Sequence, residues 1–208
     1  MDYEITTKKI ASQDSNIKGF ATIEFGRCFK IENIAIIMNR NEQLFVSMPK
    51  HRTNKVDEKN NPVFEEICNP ITADFRKELY DNIIESFKSQ EKITVKKGEQ
   101  LTNPIYRVNV TPVQNEGSLI AMGSIVFDES FAVNGVIMRQ KNDNIYVFMP
   151  TVKTGKVDAK GFPERKEVCH PSYKSFGMDL AETFKTSYNM KVEQQKNVTK
   201  KKNSPRAK

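Results

Sequence analysis

The sequence predicts an α+β fold built from two tandem units, and three observations support this prediction. The segment LFVSMP at residues 44–49 returns as IYVFMP at residues 145–150, at an offset of 101 positions. Apolar and polar residues alternate in the first half of each copy, as in half-buried strands. Near the end of each copy the apolar spacing changes to four residues, which indicates a helix. A repeat of about a hundred residues has the length of a small domain rather than of a solenoid unit.

The repeat divides the chain of 208 residues into four parts. We expect a first domain at residues 1–90, a linker at 91–104, a second domain at 105–190 and a basic tail at 191–208. An earlier stretch, residues 21–25, matches residues 123–127 at an offset of 102. One residue is therefore gained or lost between Phe29 and Met48, and we place this change near Ala35 and Ile36.

Each unit is expected to begin as an antiparallel β-meander. The polar pairs Gly26-Arg27 and Asp128-Glu129 interrupt apolar runs and suit tight hairpin turns. Proline removes a ladder donor, so Pro49 and Pro150 should end a strand or mark an edge. We expect a long polar loop after each of these prolines, reaching to about Pro62 and Pro163, and then a short strand.

One helix is expected to follow in each unit. Its apolar face has a spacing of four in both copies, formed by Phe75, Leu79, Ile83 and Phe87 and by Phe176, Leu180, Phe184 and Tyr188. Thr72 and Ser172 precede these runs and are candidate N-caps. Gly177 should weaken the second helix by roughly 1 kcal/mol relative to alanine.

Composition describes a globular protein, with 38% hydrophobic and 28% charged residues. No run of eighteen apolar residues occurs, and the N-terminal residues lack the apolar stretch of a signal peptide. The three cysteines, Cys28, Cys68 and Cys169, include no Cys-x-x-Cys pair. We interpret them as small buried thiols, with a disulfide or metal role as the alternative, and expect a cytoplasmic location.

The net charge of +7 is concentrated at the C-terminal end. Residues 191–208 contain seven Lys and Arg against one Glu, whereas the two domains are nearly neutral. With no apolar partner, this tail is expected to be disordered. It could serve as a polyanion tether or as a solubilising segment.

The ordered motifs resemble the SpoVG (stage V sporulation protein G, septation protein) family of bacteria. They are FVSMP at residues 45–49, Arg52-Thr53 and the step CNPI at residues 68–71. In the second copy they are YVFMP at residues 146–150, Lys153-Thr154 and CHP at residues 169–171. The family's step reads Ala-His-Pro, so cysteine replaces alanine in both copies, and the histidine is present only as His170.

The resemblance implies a regulator that binds DNA or RNA, because family members are usually single domains that dimerise and bind nucleic acid. Two fused copies then imply an intrachain pseudo-dimer, in which an edge strand of one copy pairs with its equivalent in the other. The pseudo-dimer could also assemble into a further homo-oligomer. No membrane association and no cofactor are expected.

Basic groups on one surface are what nucleic-acid binding requires. The candidates lie in the loops after Met-Pro and at the start of the first helix, where helix amides can also face phosphate. They are Lys50, Arg52, Lys55, Arg76, Lys77, Lys153, Lys156, Arg165 and Lys166, with His51 and Lys160 nearby. Alternatively, these are solvated surface charges.

Other chemistry receives less support from the residues. The aromatic side chains of the strands could stack bases, but most are expected in the core. They are Phe20, Phe25, Phe29, Phe45, Phe131, Tyr146 and Phe148. His51 and His170 are not repeat mates, and no phosphate loop, nucleophile elbow or metal spacing occurs, so we do not expect an enzyme. The alternative function is a protein–protein interaction module that regulates a partner through exposed sheet edges or loops.

Overall fold

The computed structural model describes residues 1–11, 15–114 and 117–202, with side chains described to residue 197. The first unit contains β1 (Tyr3–Lys9), β2 (Ile17–Phe25), β3 (Phe29–Met38), β4 (Leu44–Ser47), β5 (Lys50–Val56), β6 (Pro62–Glu66), β7 (Cys68–Pro70) and α1 (Ala73–Ser89). The second contains β9 (Tyr106–Pro112), β10 (Leu119–Phe127), β11 (Phe131–Lys141), β12 (Asn144–Phe148), β13 (Thr151–Val157), β14 (Pro163–Glu167), β15 (Cys169–Pro171) and α2 (Lys174–Lys202). The predicted α+β fold with two tandem units is confirmed.

The segment between the units is not a plain linker. β8 (Ile93–Val95) lies within it and pairs antiparallel with β1 at the edge of the first sheet. Asp2 fixes the residues that come after β8, because its carboxylate accepts hydrogen bonds from the Lys97 and Thr102 amides, each at 3.0 Å. Burial alone would raise the pKa of Asp2, but these bonds favour the carboxylate and lower it.

The predicted hairpin turns are confirmed. Gly26 and Arg27 join β2 to β3 with φ of 49° and 59°, and Asp128 and Glu129 join β10 to β11 with φ of 45° and 49°. Positive φ at both central residues matches the right-handed twist of the flanking strands.

Two short strands are exchanged between the units. β7 of the first unit pairs antiparallel with β11 of the second, and β15 of the second pairs with β3 of the first. The expectation that an edge strand pairs with its own equivalent is therefore wrong, because each of these strands adds to the other unit's sheet. The result is a six-stranded and a five-stranded sheet, each containing one strand from the other unit.

Four phenylalanines pack where the two sheets meet. Phe25 lies 5.9 Å from Phe127 and 4.9 Å from Phe131 between ring centroids, and Phe29 lies 4.9 Å from Phe127. All four side chains are fully buried. These rings come from the same two positions in each repeat. Because rings of one unit contact rings of the other, the core is continuous across the units.

The predicted apolar helix faces are confirmed in both units. The Thr72 side chain caps α1 by accepting a hydrogen bond from the Phe75 amide, as predicted. Ser172 is not the cap of α2. Its hydroxyl donates to Glu24 and its amide to the Cys28 carbonyl, so the exchange directs this residue toward the first unit.

The second helix is longer than expected. The prediction of a disordered tail is wrong for residues 191–202, which continue α2, while residues 203–208 lie outside the described residues. Lys, Glu and Gln are good helix formers, and extending a packed helix requires no new nucleus. No helix in the described part of the chain is both long and apolar enough to cross a membrane.

The long polar loops predicted after Pro49 and Pro150 are hairpins. β5 pairs with β6, and β13 with β14, as separate two-stranded sheets. These strands are exposed on both faces, so their sequences lack the alternation that identifies a half-buried strand.

The one-residue difference between the repeats does not lie near Ala35. Both units place a left-handed residue at matching bulges, Asn33 with φ of 61° and Gly135 with φ of 78°. Ala35 pairs with Ser47, and its mate Ile137 pairs with Phe148, so the register after the bulge is the same. The extra residue is in the turn after β3, where surface loops accept insertions readily.

Candidate nucleic-acid interface

A groove of about 820 Å³ lies between the first unit's β5–β6 hairpin and the second unit's sheet. We call it the hairpin groove. One wall is β5, the floor comes from β10 and β11, and the base of the second hairpin closes one side. It is lined by Lys50, His51, Arg52, Thr53, Asn54, Lys55, Val56, Ile67, Met122, Asn134, Gly135, Ile137, Met149, Pro150, Thr151, Val152, Lys153 and Arg165. The strand exchange creates this groove, since it fastens the base of one unit's hairpin to the other unit's sheet.

Five of the nine predicted binding residues line the hairpin groove. They are Lys50, Arg52, Lys55, Lys153 and Arg165. His51 adds an imidazole, and no aspartate or glutamate is among the described lining residues. The groove therefore combines positive charge from both units with no carboxylate among its described lining residues, which favours an anionic ligand.

Contacts on the hairpins position several of these cations. The Arg165 guanidinium donates from Nε to the Thr151 hydroxyl at 2.7 Å. The Lys50 ammonium lies 5.6 Å from the centroid of the Phe64 ring. Lys55 Nζ lies 3.8 Å from a Glu65 carboxylate oxygen, an exposed pair that solvent screens strongly.

Arg76 and Lys77 do not join the groove and are engaged on their own unit. Arg76 Nη2 donates to the Pro70 carbonyl at 2.9 Å, and its guanidinium lies 5.9 Å from the Tyr80 ring centroid. Lys77 Nζ donates to Asp81 at 2.7 Å, and this hydrogen bond raises the pKa of Lys77. Arg76 thus holds the exchanged strand β7 against its own helix.

Lys156 and Lys166 also lie outside the groove lining. Lys156 is exposed near the end of β13. Lys166 Nζ lies 3.8 Å from a Glu32 carboxylate oxygen, which places the second unit's hairpin against the first unit's sheet. Lys160, also considered from the sequence, is exposed in the turn between β13 and β14.

The floor of the groove carries two apolar side chains, Met122 and Ile137, that the sequence did not single out. We define the second outer face as the side of β9–β12 that points away from α2. Met122, Ile137 and Phe148 form one row across it, because Met122 pairs with Ile137 and Ile137 with Phe148. Met122 is 46% exposed and Phe148 is 48% exposed. The signal that could have identified Met122 and Ile137 is an apolar residue at a strand position whose side chain faces outward.

The expectation that most strand aromatics lie in the core is correct for only some of them. Phe25, Phe29 and Phe131 are fully buried. Phe20, Phe45, Tyr146 and Phe148 are between 38% and 48% exposed, so they remain available for contacts.

The equivalent face of the first unit has a different charge. Glu24 and Glu32 lie at the positions that Val126 and Asn134 occupy in the second unit. Glu32 pairs with Lys166, and Glu24 lies 4.0 Å from Lys30 Nζ. The two halves share a fold, but the described strands β9–β12 of the second contain no aspartate or glutamate, whereas the first has Glu24 and Glu32 at these positions.

The three cysteines are buried free thiols, as expected. Cys68 and Cys169 lie on the two exchanged strands, and the hydrogen bond between their thiols, together with burial, raises the pKa of Cys169. Burial raises the pKa of Cys28 to about 12. Among the described residues, no group of three or more His, Cys, Asp or Glu side chains could hold a metal ion.

Comparison with known families matches both halves of the chain. The SpoVG family model matches residues 2–89 and residues 104–190. The chain belongs to the SpoVG family. The resemblance found in the sequence motifs is therefore confirmed, including the presence of two tandem SpoVG copies.

Similar proteins carry the name "Putative septation protein SpoVG". One from Acholeplasma laidlawii is 39% identical over 77 residues, covering 37% of this chain and 74% of the relative. Another, from Treponema denticola, is 29% identical over 99 residues, covering 47% of this chain and 96% of the relative. Each alignment spans most of a SpoVG relative but less than half of this chain. No solved structure matches this SpoVG chain.

Proposed function

We propose that the chain is a non-enzymatic regulator that binds DNA or RNA through the hairpin groove. The observation that supports this most is the groove lining, which has five Lys and Arg residues and, among the described residues, no carboxylate. Phosphate contacts supply most of the sequence-independent affinity for nucleic acid. Arg52 and Lys153 come from different units, so a ligand bound to both would lie across the groove.

The arrangement of the cations suits a chain of phosphates better than one compact anion. Lys50, Arg52 and Lys55 follow one another along β5, while Lys153 and Arg165 lie at the base of the second hairpin. Side chains spaced along a strand can each reach a successive phosphate. Arg165, held by Thr151, offers a positioned guanidinium for a phosphate oxygen.

A fluorescence-anisotropy titration tests the proposal. Labelled single-stranded DNA, single-stranded RNA and duplex probes, each of roughly 16 nucleotides, are titrated between about 50 and 200 mM salt. We expect affinity to fall steeply with salt. Arg52→Gln and Lys153→Gln should each weaken binding and reduce the slope of log K against log salt by about 1.

Lys77→Gln is the matched control, because Lys77 is an exposed lysine outside the groove that is paired with Asp81. It should leave affinity and salt slope unchanged. Absence of binding to every probe at low salt would refute the proposal. Equal losses in all three variants would show that binding is diffuse rather than located in the groove.

Protein docking is the second candidate function, and apolar side chains on the hairpins favour it. Phe64 is 50% exposed on the first hairpin, and Val157 and Phe162 are 68% and 65% exposed on the second. A folded chain that binds no nucleic acid in the titration would leave this candidate as the better one.

A further inference from the structure

We propose that the ligand of the hairpin groove is a single-stranded nucleic acid whose bases stack on the second outer face. This inference rests on the proposed function and specifies its substrate class. Phosphates would follow the cations of β5, and bases would lie toward Phe148 and Tyr146. The juxtaposition of a cationic wall with an exposed apolar and aromatic floor supports it.

The floor of the groove is continuous with the aromatic surface. Met122 and Ile137 line the groove, and Phe148 is the direct cross-strand partner of Ile137. Side chains on directly paired residues have Cβ atoms only about 4.5–5.5 Å apart. The Phe148 ring therefore lies directly beside the groove floor, where it can stack with a base bound next to Ile137.

A second pair of planar groups extends the same surface. Tyr146 pairs with Arg139 two residues further along the strands, and both lie on the second outer face. Tyr146 is 48% exposed, and the Arg139 guanidinium donates to the Ser118 hydroxyl at 2.9 Å. Aromatic rings and guanidinium planes are the side-chain groups on which unpaired bases stack.

A duplex cannot use this surface in the same way. Its base faces are covered by neighbouring base pairs, so only phosphates and groove edges are available to a protein. In a single strand each base presents a face to an aromatic ring while the backbone remains near the cations. The combination of Lys50, Arg52 and Phe148 on adjoining surfaces therefore favours the single strand.

The first unit provides an internal comparison. At the position of Phe148 it carries Ser47, and at the position of Asn134 it carries Glu32. Lys166 from the opposite hairpin is paired with Glu32 instead of facing an open floor. The first unit's face also carries two exposed aromatics, Phe20 and Phe45, but Glu24 and Glu32 share that face with them. The described strands β9–β12 contain no aspartate or glutamate, so exposed aromatics without a carboxylate on the same strands are found on the second unit.

The test compares single-stranded and duplex probes of one sequence on the full chain. Phe148→Ser copies the residue of the first unit, and Tyr146→Ser removes the second ring. Each should weaken single-strand binding by about tenfold while leaving duplex binding unchanged. Phe45→Ser is the matched control, since Phe45 is the repeat mate of Tyr146 and is 45% exposed. It should change neither affinity.

The outcomes separate this inference from the proposed function. Equal affinity for both probes, with no effect of Phe148→Ser, overturns the stacking surface and leaves groove binding standing. Absence of all binding overturns both. Light scattering that shows a dimer of the full chain, broken by Phe148→Ser, would identify a second copy as the occupant and overturn the inference.

Discussion

At the scale of single residues, one tyrosine in each unit ties its first strand to its helix. The Tyr3 hydroxyl donates to Glu78 at 2.7 Å and accepts from Asn82 at 2.8 Å. In the second unit, Tyr106 donates to Asp179, and its hydroxyl lies 3.3 Å from the Thr183 hydroxyl. Burial, followed by the hydrogen bond to Glu78, raises the pKa of Tyr3 and keeps the phenol protonated as a donor.

Removing the Tyr3 hydroxyl should therefore destabilise the protein. We expect Tyr3→Phe to lower the free energy of unfolding by about 1 kcal/mol, because two hydrogen bonds are lost while the buried ring remains. Urea denaturation followed by circular dichroism measures this change. Tyr146→Phe is the control on an exposed ring and should unfold as the unchanged chain does. A Tyr3→Phe midpoint equal to the control's would contradict the assignment.

These two tyrosines could not be identified from the sequence as partners of the helices. The helix residues that bond to them occupy equivalent positions in the two repeats, Glu78 with Asp179 and Asn82 with Thr183. Both members of each pair can form hydrogen bonds, but they are different residue types. The helix faces were predictable because apolar spacing repeats every four residues. A polar contact between a strand start and a helix flank leaves no comparable period.

At the scale of elements, the two outer sheet faces differ more than the two cores. The inward positions keep phenylalanine in both units, whereas Glu32 in the first becomes Asn134 in the second. Asn134 lines the groove, and its side-chain amide donates to Asn69 at 3.3 Å. This position therefore carries a carboxylate on the first unit's outer face and a neutral amide on the second's.

A carboxylate placed on the groove floor should weaken binding of nucleic acid. We expect Asn134→Glu to reduce affinity by about tenfold, the effect of one like charge near a phosphate at a solvated surface. Anisotropy at low salt measures it, and thermal melting verifies that the variant is folded. Gln100→Glu, which adds the same charge at an exposed residue outside the groove, is the matched control and should not change affinity. A folded Asn134→Glu variant with unchanged affinity would place the ligand elsewhere.

The element scale also shows why the candidate site was only partly predictable. The cations after Met-Pro were visible as a charge cluster beside a repeated motif. The sequence also offers Arg76 and Lys77 at the start of the first helix, but their side chains bind the Pro70 carbonyl and Asp81 instead of facing the groove. Met122 and Ile137 were missed, because nothing local in the sequence shows that β5 lies over the other unit's sheet.

At the scale of the whole molecule, the exchange of β7 and β15 makes each sheet depend on both units. Cys68 pairs with Val133, and Cys169 pairs with Ile31, so backbone hydrogen bonds cross between the halves in both directions. The duplication was readable from the repeat, and so were the core strands and the apolar helix face of each half, but not the exposed hairpins or the C-terminal extension of α2. The exchange was not, since a three-residue strand can join either sheet with the same sequence.

Cutting the chain between the units should leave the halves together. A protease site inserted at Gly98, where a side chain would meet nothing within 4 Å, allows cleavage without disturbing the core. We expect the cleaved chain to co-elute with the uncut chain on size exclusion and to separate only in denaturant. Halves that separate in native buffer would show that the exchanged strands do not hold them.

Joining the two units in one chain has a consequence for any strand-like ligand. In an assembly of identical subunits, each substitution is present on every copy, and a symmetric surface offers a polymer two equivalent directions. Here Glu32 and Asn134 are encoded by separate codons, so the outer face of each unit can change its residues independently of the other. The two outer faces are then non-equivalent, so a ligand of the hairpin groove would find one binding face on the chain rather than two related by symmetry.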